Sequence, residues 1–154
     1  MAAKVQDAGL FVLRVGVGLT LAYYGAQKLL GVFGGFGFTA TLDYFQQSLG
    51  VPKWLGSLAV FAEFFGGLGL VFGVLTRVAA LGIACTMAVA TYVKAKPDVL
   101  RQMVSPGEGV NAVAVSSEVF FPFVLLVASL AILAMGPGAL SLDARFLGRG
   151  KGRK

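Results

Sequence analysis

The residues that could carry chemistry are ionisable side chains placed inside apolar segments. Glu63 stands near the middle of a stretch from Trp54 to Thr76 that has no other charge. A carboxylate at the centre of a bilayer costs about 2.5–3.5 kcal/mol on insertion scales. It is retained when it has a partner, lines a polar cavity or exchanges protons. Arg14 and Glu118 repeat the pattern in other apolar segments, so the first chemistry suggested is proton transfer by Glu63 and Glu118.

Further polar residues are predicted to lie at a similar depth. Helical rise is about 1.5 Å per residue, which allows the depth of each side chain to be compared along the apolar segments. The polar residues that this comparison gathers in one half of the bundle are Tyr23, Tyr24, Gln27, Lys28, Glu63, Tyr92 and Glu118. Lys28 and Glu118 fall at the same depth, and we expect them to pair directly or through water.

Most of these residues also have a plainer explanation. Lys28 is typical of an interfacial lysine that extends its ammonium group to water. Glu118 is typical of an acidic residue at the positive end of a helix dipole. Tyr92 fits the aromatic belt at a membrane surface. For Glu63 the only plain explanation is a buried structural hydrogen bond. The group as a whole therefore carries more weight than any one member.

A second set of charges is predicted in the opposite half. Arg14 lies there, and its long side chain can reach the nearer membrane surface. The break at Gly136-Pro137-Gly138 should turn the chain back, so that Asp143 meets the same ends of the helices. Because an unpartnered aspartate is costly there, we expect structural ion pairs of Asp143 with Arg14 or Arg77.

The composition defines the class of protein. Of the 154 residues, 57% are apolar and 13% are charged, whereas a soluble domain carries about 25% charged residues. Together with a mean hydropathy of +0.83, this predicts one integral membrane domain over 1–154. The net charge of +6 is concentrated in a basic tail over 144–154. This charge indicates topology and contact with anionic headgroups rather than nucleic-acid binding.

Four transmembrane helices are predicted, at about 8–30, 54–75, 78–93 and 116–135. An amphipathic segment, suited to the membrane interface, lies between the first two. The fold class is therefore an all-α four-transmembrane-helix bundle. The first segment is too long for the apolar core of a signal peptide. Four spans place both termini on one side, and the distribution of Lys and Arg favours the cytoplasm by a small margin.

Cysteine and histidine usage limits the cofactors. The chain has one cysteine, Cys85, and no histidine. A disulfide within the chain and His-dependent haem, zinc or copper sites are excluded, and no metal site is predicted. Cys85 lies among small residues and is interpreted as a packing residue; whether it has a redox role is left open. We expect no cofactor bound by this chain itself.

Several short motifs resemble one family. They are Leu13–Gly18, Tyr24–Lys28, Glu63 with Gly66-Gly67-Leu68, Gly73–Arg77, Glu118, and Gly136–Asp143. These motifs are similar to those of the DoxX family of small four-span membrane proteins, over about Leu10 to Asp143. The Gly-Pro-Gly break followed by Ser-Leu-Asp is the most specific of them.

The resemblance implies similarity to the membrane subunits of thiosulfate:quinone oxidoreductase. Glu63 and Glu118 would then be catalytic, with Tyr23, Tyr24, Gln27, Lys28 and Tyr92 binding a quinone as a mobile carrier. A non-catalytic anchor or assembly subunit for a soluble enzyme is the alternative, and a pathway for a small solute or proton is a third. The expected partners are the lipid bilayer, another oxidoreductase subunit or soluble enzyme, and a second copy of the chain. The expected location is the bacterial cytoplasmic membrane, with both termini cytoplasmic.

Overall fold

A computed structural model describes residues 2–96 and 112–147. Residues 97–111 and most of the predicted basic tail lie outside the described residues. Every element in the described part is a helix. The helices are α1 Ala2–Leu30, α2 Gly37–Leu49, α3 Lys53–Phe72, α4 Thr76–Lys94, α5 Ala112–Met135 and α6 Leu142–Leu147.

Four helices are long and apolar enough to cross a membrane. Their candidate spans are Val5–Leu30, Lys53–Phe72, Thr76–Lys94 and Glu118–Met135. The all-α, four-span fold class is thereby confirmed. Helix α2 is the amphipathic segment expected between the first two spans, and it buries Thr41 and Leu42. The end of the bundle where α1 begins and α3 and α5 end is called the terminal side, and the other end is called the opposite side.

The order of packing around the bundle determines which side chains can meet. Helix α1 packs on α3, α3 on α4, and α4 on α5, while α2 packs on α1 and α3. The short turn between α3 and α4 makes them antiparallel neighbours, as the sequence predicted. Gly66 and Gly69 of α3 lie against Ala79 of α4, and Gly66 also contacts Ile83. Small residues at such contacts let the two helices approach closely.

The closest helix contact is one that the sequence did not single out. A Cβ added to Gly67 of α3 would lie 2.5 Å from the Ala22 nitrogen, and one added to Gly25 would lie 2.5 Å from the Phe64 nitrogen. A Cβ on Gly18 would lie 2.7 Å from the Gly67 oxygen. We call the contact made by Gly18, Gly25 and Gly67 the α1–α3 seam. Backbone meets backbone there, which only glycine allows.

The seam lies on one stripe of each helix. On α1 the stripe contains Arg14, Gly18, Leu21, Gly25 and Lys28, at alternating spacings of four and three residues. On α3 the residues buried at the same spacing are Gly56, Val60, Glu63, Gly67 and Leu70. Such alternation keeps one face of a helix against its neighbour along its length. The charged residues of the two stripes are therefore carried into the protein interior along with the apolar ones.

The α1–α3 seam predicts that alanine substitution at two glycines will have very different effects on stability. Gly67→Ala should lower the free energy of unfolding by about 1–3 kcal/mol, because the new methyl group overpacks against backbone that cannot move alone. Gly16→Ala, on α1 but with no atom within 4 Å of the added Cβ, is the matched control and should be neutral or slightly stabilising. Thermal unfolding of both variants in detergent micelles measures this. Equal stability of the two variants would contradict the close approach.

Candidate functional site

Glu63 is buried and paired with a cation from α1. The residue is 4% exposed, and its Oε2 forms an ion pair and hydrogen bond with Nζ of Lys28. It lies midway along α3, as its position in the apolar stretch suggested, and it faces protein rather than lipid. The Lys28 side chain keeps 29% of its surface exposed, against 6% for Glu63. Lys28 thus links the buried carboxylate to the surface, while Glu63 depends on Lys28 for its counter-charge.

The expected pairing of Lys28 with Glu118 is wrong. Glu118 instead accepts a hydrogen bond from Lys94, with 2.6 Å between Nζ and Oε2. The reason is helix adjacency, because α1 packs mainly on α3 whereas α5 packs mainly on α4. Each acid therefore pairs with a lysine of the helix beside it. Depth alone could not distinguish these partners.

Tyr24, Tyr23 and Gln27 lie on α1 near Lys28 but make separate contacts. Tyr24 packs edge-on against Phe121 of α5, with 5.4 Å between ring centroids. Tyr23 stacks on Phe33 at 5.2 Å. The Gln27 amide nitrogen donates to the Phe33 carbonyl over 3.2 Å. Gln27 thus holds the loop after α1, and Tyr24 bridges α1 and α5.

Tyr92 does not join this group. It is 69% exposed, and its ring lies 5.1 Å from the Lys96 ammonium nitrogen. This is a surface position near the end of α4. The structure therefore divides the expected cluster: Lys28 and Glu63 pair between α1 and α3, Glu118 pairs with Lys94 between α5 and α4, and Tyr92 lies apart on the exposed surface of α4.

Helix α2 supplies a contact that sequence reasoning did not anticipate. The Phe45 ring lies 6.0 Å from Nζ of Lys28, within the range of a cation–π interaction. A Cβ on Gly56 would lie 3.0 Å from Phe45 and from Leu42, so α2 packs tightly on the start of α3. The amphipathic spacing of α2 predicted an interfacial helix. It gave no signal that one aromatic side chain would lie near the ion pair.

Arg14 anchors the terminal side of the bundle. It is 1% exposed, and its guanidinium donates to the carbonyls of Pro137 and Leu140, each over 2.6 Å. It also lies 5.7 Å from the Phe11 ring centroid. A Cβ on Gly73 would lie 2.5 Å from Arg14 Nη1, so the C-terminal glycine of α3 makes room for the guanidinium. Arg14 thereby ties α1 to the segment that follows α5.

Asp143 fastens the same segment to the turn between α3 and α4. Its carboxylate accepts hydrogen bonds from the backbone N–H groups of Leu75 and Thr76, over 2.9 and 2.8 Å. Its own N–H donates to the Gly73 carbonyl over 2.8 Å. The first N–H groups of a helix lack partners within that helix, so Asp143 caps α4 from a distant part of the chain.

The expected ion pairs among Arg14, Arg77 and Asp143 are therefore not formed in the part of the chain that the structure describes. Arg14 bonds backbone carbonyls, Asp143 bonds backbone amides, and Arg77 lies against Gly136, whose added Cβ would be 3.3 Å from Nη2. The physical reason is that the turns expose unpaired backbone groups, and these take up the charged side chains. The sequence correctly placed these residues at the same end of the bundle. It could not show that backbone carbonyls and amides would be their partners.

The pKa of Asp143 reflects this environment. Burial raises the pKa of its carboxyl, but the hydrogen bonds from Thr76 and Leu75 and the positive charge of Arg14 outweigh that effect. The net pKa lies below the ordinary value for aspartate. The charged form is thus the one that the folded protein favours.

The comparison with protein families identifies the chain. The DoxX family model matches residues 9–95. The chain belongs to the DoxX family. The matched region contains Arg14, the α1–α3 seam and both members of the Lys28–Glu63 pair.

A relative of this DoxX protein shares almost its whole length. The inner membrane protein YqjF of Escherichia coli (strain K12) is 29% identical over 141 residues, which cover 91% of this chain and 93% of the relative. No solved structure shows a significant match. The family and the relative support an integral membrane protein.

The ionisable side chains of this DoxX protein form ion pairs and hydrogen bonds to backbone groups in the described residues. Across residues 2–96 and 112–147, no group of three or more His, Cys, Asp or Glu could hold a metal ion. Cys85 is an exposed thiol on α4. Within the same ranges, the Lys28–Glu63 pair is the most buried of the ion pairs.

The Lys28–Glu63 pair predicts an asymmetric response to neutralisation. Lys28→Met should destabilise the protein more than Glu63→Gln, because it leaves a buried carboxylate without its counter-charge whereas Lys28 can still reach water. Breaking a buried pair costs about 3–5 kcal/mol, and replacing both partners can be close to neutral. The double variant Lys28→Met, Glu63→Gln should therefore recover much of the loss. Thermal unfolding in detergent gives the measurement.

The control is the more exposed Lys94–Glu118 pair, whose side chains are 28% and 49% exposed. Lys94→Met should cost no more than about 1 kcal/mol. If Lys28→Met is tolerated as well as Lys94→Met, then the buried pair is not a stabilising contact.

Asp143 predicts a pH dependence of stability. Because its folded-state pKa is depressed, its stabilising contribution is present above the ordinary aspartate pKa of about 4 and is lost as the pH falls below that value. Asp143→Asn should lower Tm near neutral pH and flatten the acid limb of the Tm profile. Asp43→Asn is the control, because Asp43 and Lys53 form an ion pair with side chains 42% and 52% exposed. An unchanged acid limb in Asp143→Asn would rule out the linkage.

Proposed function

We propose that this DoxX protein is the membrane subunit of a quinone-linked oxidoreductase system, with Glu63 as the proton-exchanging group. The observation that carries the proposal is the buried ion pair of Glu63 with Lys28 in the middle of a membrane-spanning helix. Ionisable residues at such depth are rare and usually functional. The neighbouring Tyr24 adds a hydroxyl group that can hydrogen-bond a quinone carbonyl.

The proposed reaction assigns each chemical role to a class of molecule. Reduction of a quinone to a quinol takes up electrons and protons in equal number. The electrons would come from a partner oxidoreductase, and the protons would pass through Glu63. Lys28 would stabilise the carboxylate left after each proton transfer and, being partly exposed, would return a proton to it from the surface. Tyr24 at the α1–α5 contact would border the apolar route by which the carrier approaches.

The two groups separated by the fold receive different roles. Glu118 pairs with Lys94 between α5 and α4, and Tyr92 is an exposed residue beside Lys96 near the end of α4, so we propose both for a surface role rather than for direct contact with the carrier. Tyr23 and Gln27 hold the loop after α1. The proton-exchanging site proposed here therefore consists of Glu63 and Lys28, with Tyr24 beside them.

The proposal also includes location and orientation. The named relative is an inner membrane protein, and the basic tail favours termini in the cytoplasm. An alkaline phosphatase fused to the C-terminus should be inactive, since that enzyme needs an oxidising compartment. An active fusion would reverse the orientation.

A test of quinone binding uses the full-length protein in detergent. A short-chain ubiquinone analogue should raise Tm, and Tm should rise further with analogue concentration, as linkage requires. Glu63→Met, which removes the carboxyl group, should weaken the apparent affinity by up to about tenfold, the loss expected for one hydrogen bond donated by the protonated carboxyl to a quinone carbonyl. Lys94→Met, in the other ion pair, should bind the analogue as the unchanged protein does.

Two outcomes would overturn this proposal. If the analogue causes no Tm shift, the protein does not bind the quinone and the quinone-linked function is excluded. An equal affinity of Glu63→Met, folded and stable, would show that Glu63 is not part of the site. If a soluble enzyme copurifies while no quinone binds, the protein is an anchor or assembly subunit. The contacts that favour this second function are those of Arg14 and Asp143, which bind backbone groups and hold the terminal side together.

A further inference from the structure

An open groove runs across the terminal side of the bundle. Its volume is about 890 Å³, and it lies between α1, the end of α3 and the segment that follows α5. The lining residues that matter here are Phe11, Arg14, Phe72, Leu140, Ser141 and Arg145. The groove is at the far end of α1 from the Lys28–Glu63 pair, so it is distinct from the proposed proton-exchanging site.

The floor of the groove contains a buried cation with an unused donor. Arg14 is 1% exposed and gives its two terminal nitrogens to the carbonyls of Pro137 and Leu140. Its Nε, although buried, has no hydrogen-bond partner. The nearby Asp143 directs its carboxylate oxygens to the amides of Leu75 and Thr76. A fixed guanidinium therefore lies under the groove. The nearby Asp143 carboxylate offsets part of its charge, so an anion in the groove needs a further cation.

The rim adds a second cation. Arg145 is exposed, and no carboxylate within the described ranges forms an ion pair with it. It follows Asp143 on α6, so the contacts that dock α6 on the turn after α3 also fix the position of Arg145. Arginine offers several N–H groups in a planar arrangement, which suits the oxygens of a phosphate.

The walls of the groove are apolar and open. Phe11, Phe72 and Leu140 are 41%, 60% and 56% exposed. Phe72 ends α3, Leu140 lies in the segment between α5 and α6, and Phe11 lies about two turns into the first candidate span, so the walls extend from the end of the bundle toward the acyl-chain region. A soluble anion would gain nothing from these walls, whereas a molecule with both a phosphate and an acyl chain would use the walls and the cations together.

We propose that this groove binds an anionic phospholipid, with its phosphate on Arg145 and the start of its acyl chain against Phe11 and Phe72. The net negative headgroup complements Arg145 and the charge of Arg14 below it. A zwitterionic headgroup would bring an ammonium group toward the same cations and bind less tightly. The four basic residues that the sequence places after Arg145, namely Arg149, Lys151, Arg153 and Lys154, strengthen the attraction to an anionic surface.

The test is native mass spectrometry of the full-length protein titrated with phosphatidylglycerol or phosphatidylcholine in detergent. Phosphatidylglycerol should bind about tenfold more tightly, and Arg145→Gln should remove that preference, because one charge-assisted contact is lost. Arg145→Lys should retain part of it. Arg149→Gln is the matched control: it removes one positive charge from the tail, leaves every described lining residue of the groove unchanged, and should leave the preference nearly unchanged.

A second variant tests the groove without changing any charge. Ala144 lines the groove, and Ala144→Leu should fill part of it and weaken binding of both lipids. Wild-type affinity in Arg145→Gln would overturn the proposal, as would equal loss in Arg149→Gln, which would show diffuse attraction by the tail. Competition by glycerol phosphate at the affinity of the lipid would indicate a site for free phosphate instead. Equal binding of the two lipids would also overturn the proposal, because it would show that the groove does not select an anionic headgroup.

Discussion

The close approach of α1 and α3 is the constraint on which the rest of the structure depends. At Gly18, Gly25 and Gly67 the two backbones are so near that a methyl group would clash. In a membrane there is little hydrophobic gain from bringing helices together, so packing of this kind supplies much of the association energy. It also fixes the rotation of each helix, and that rotation turns Lys28 and Glu63 toward one another.

The two ends of the α1 stripe show how one packing solution serves two purposes. At the terminal side, Arg14 is directed onto the backbone carbonyls of Pro137 and Leu140. On the opposite side, Lys28 meets a carboxylate instead. A guanidinium bonded to carbonyls is a fixed structural contact, whereas the lysine pairs with a buried carboxylate of the neighbouring helix and is itself partly exposed. The same stripe thus carries a cation bound to backbone carbonyls at one end and an interhelical ion pair at the other.

The terminal side is held together by side chains that satisfy backbone groups. Asp143 caps the start of α4, and its own amide bonds Gly73. Gly73 has a φ of 69° and lies against Arg14, so one residue ends α3, allows the turn and makes room for the guanidinium. These contacts join α1, the α3–α4 turn and α6, and they leave the groove beside Arg145 as the open part of that surface.

The sequence by itself determined the class of protein, the four spans, the interfacial helix and the residues of interest, because apolar length and the cost of buried charge are local properties of the chain. It also identified the turn that makes α3 and α4 neighbours. Only the tertiary structure decided which charges meet: Lys28 with Glu63, Glu118 with Lys94, and Asp143 with backbone amides rather than an arginine. Pairing depends on which helix lies beside which and on how each is rotated. Depth along a helix carries neither piece of information, and side-chain types do not reveal the unpaired backbone groups that turns expose.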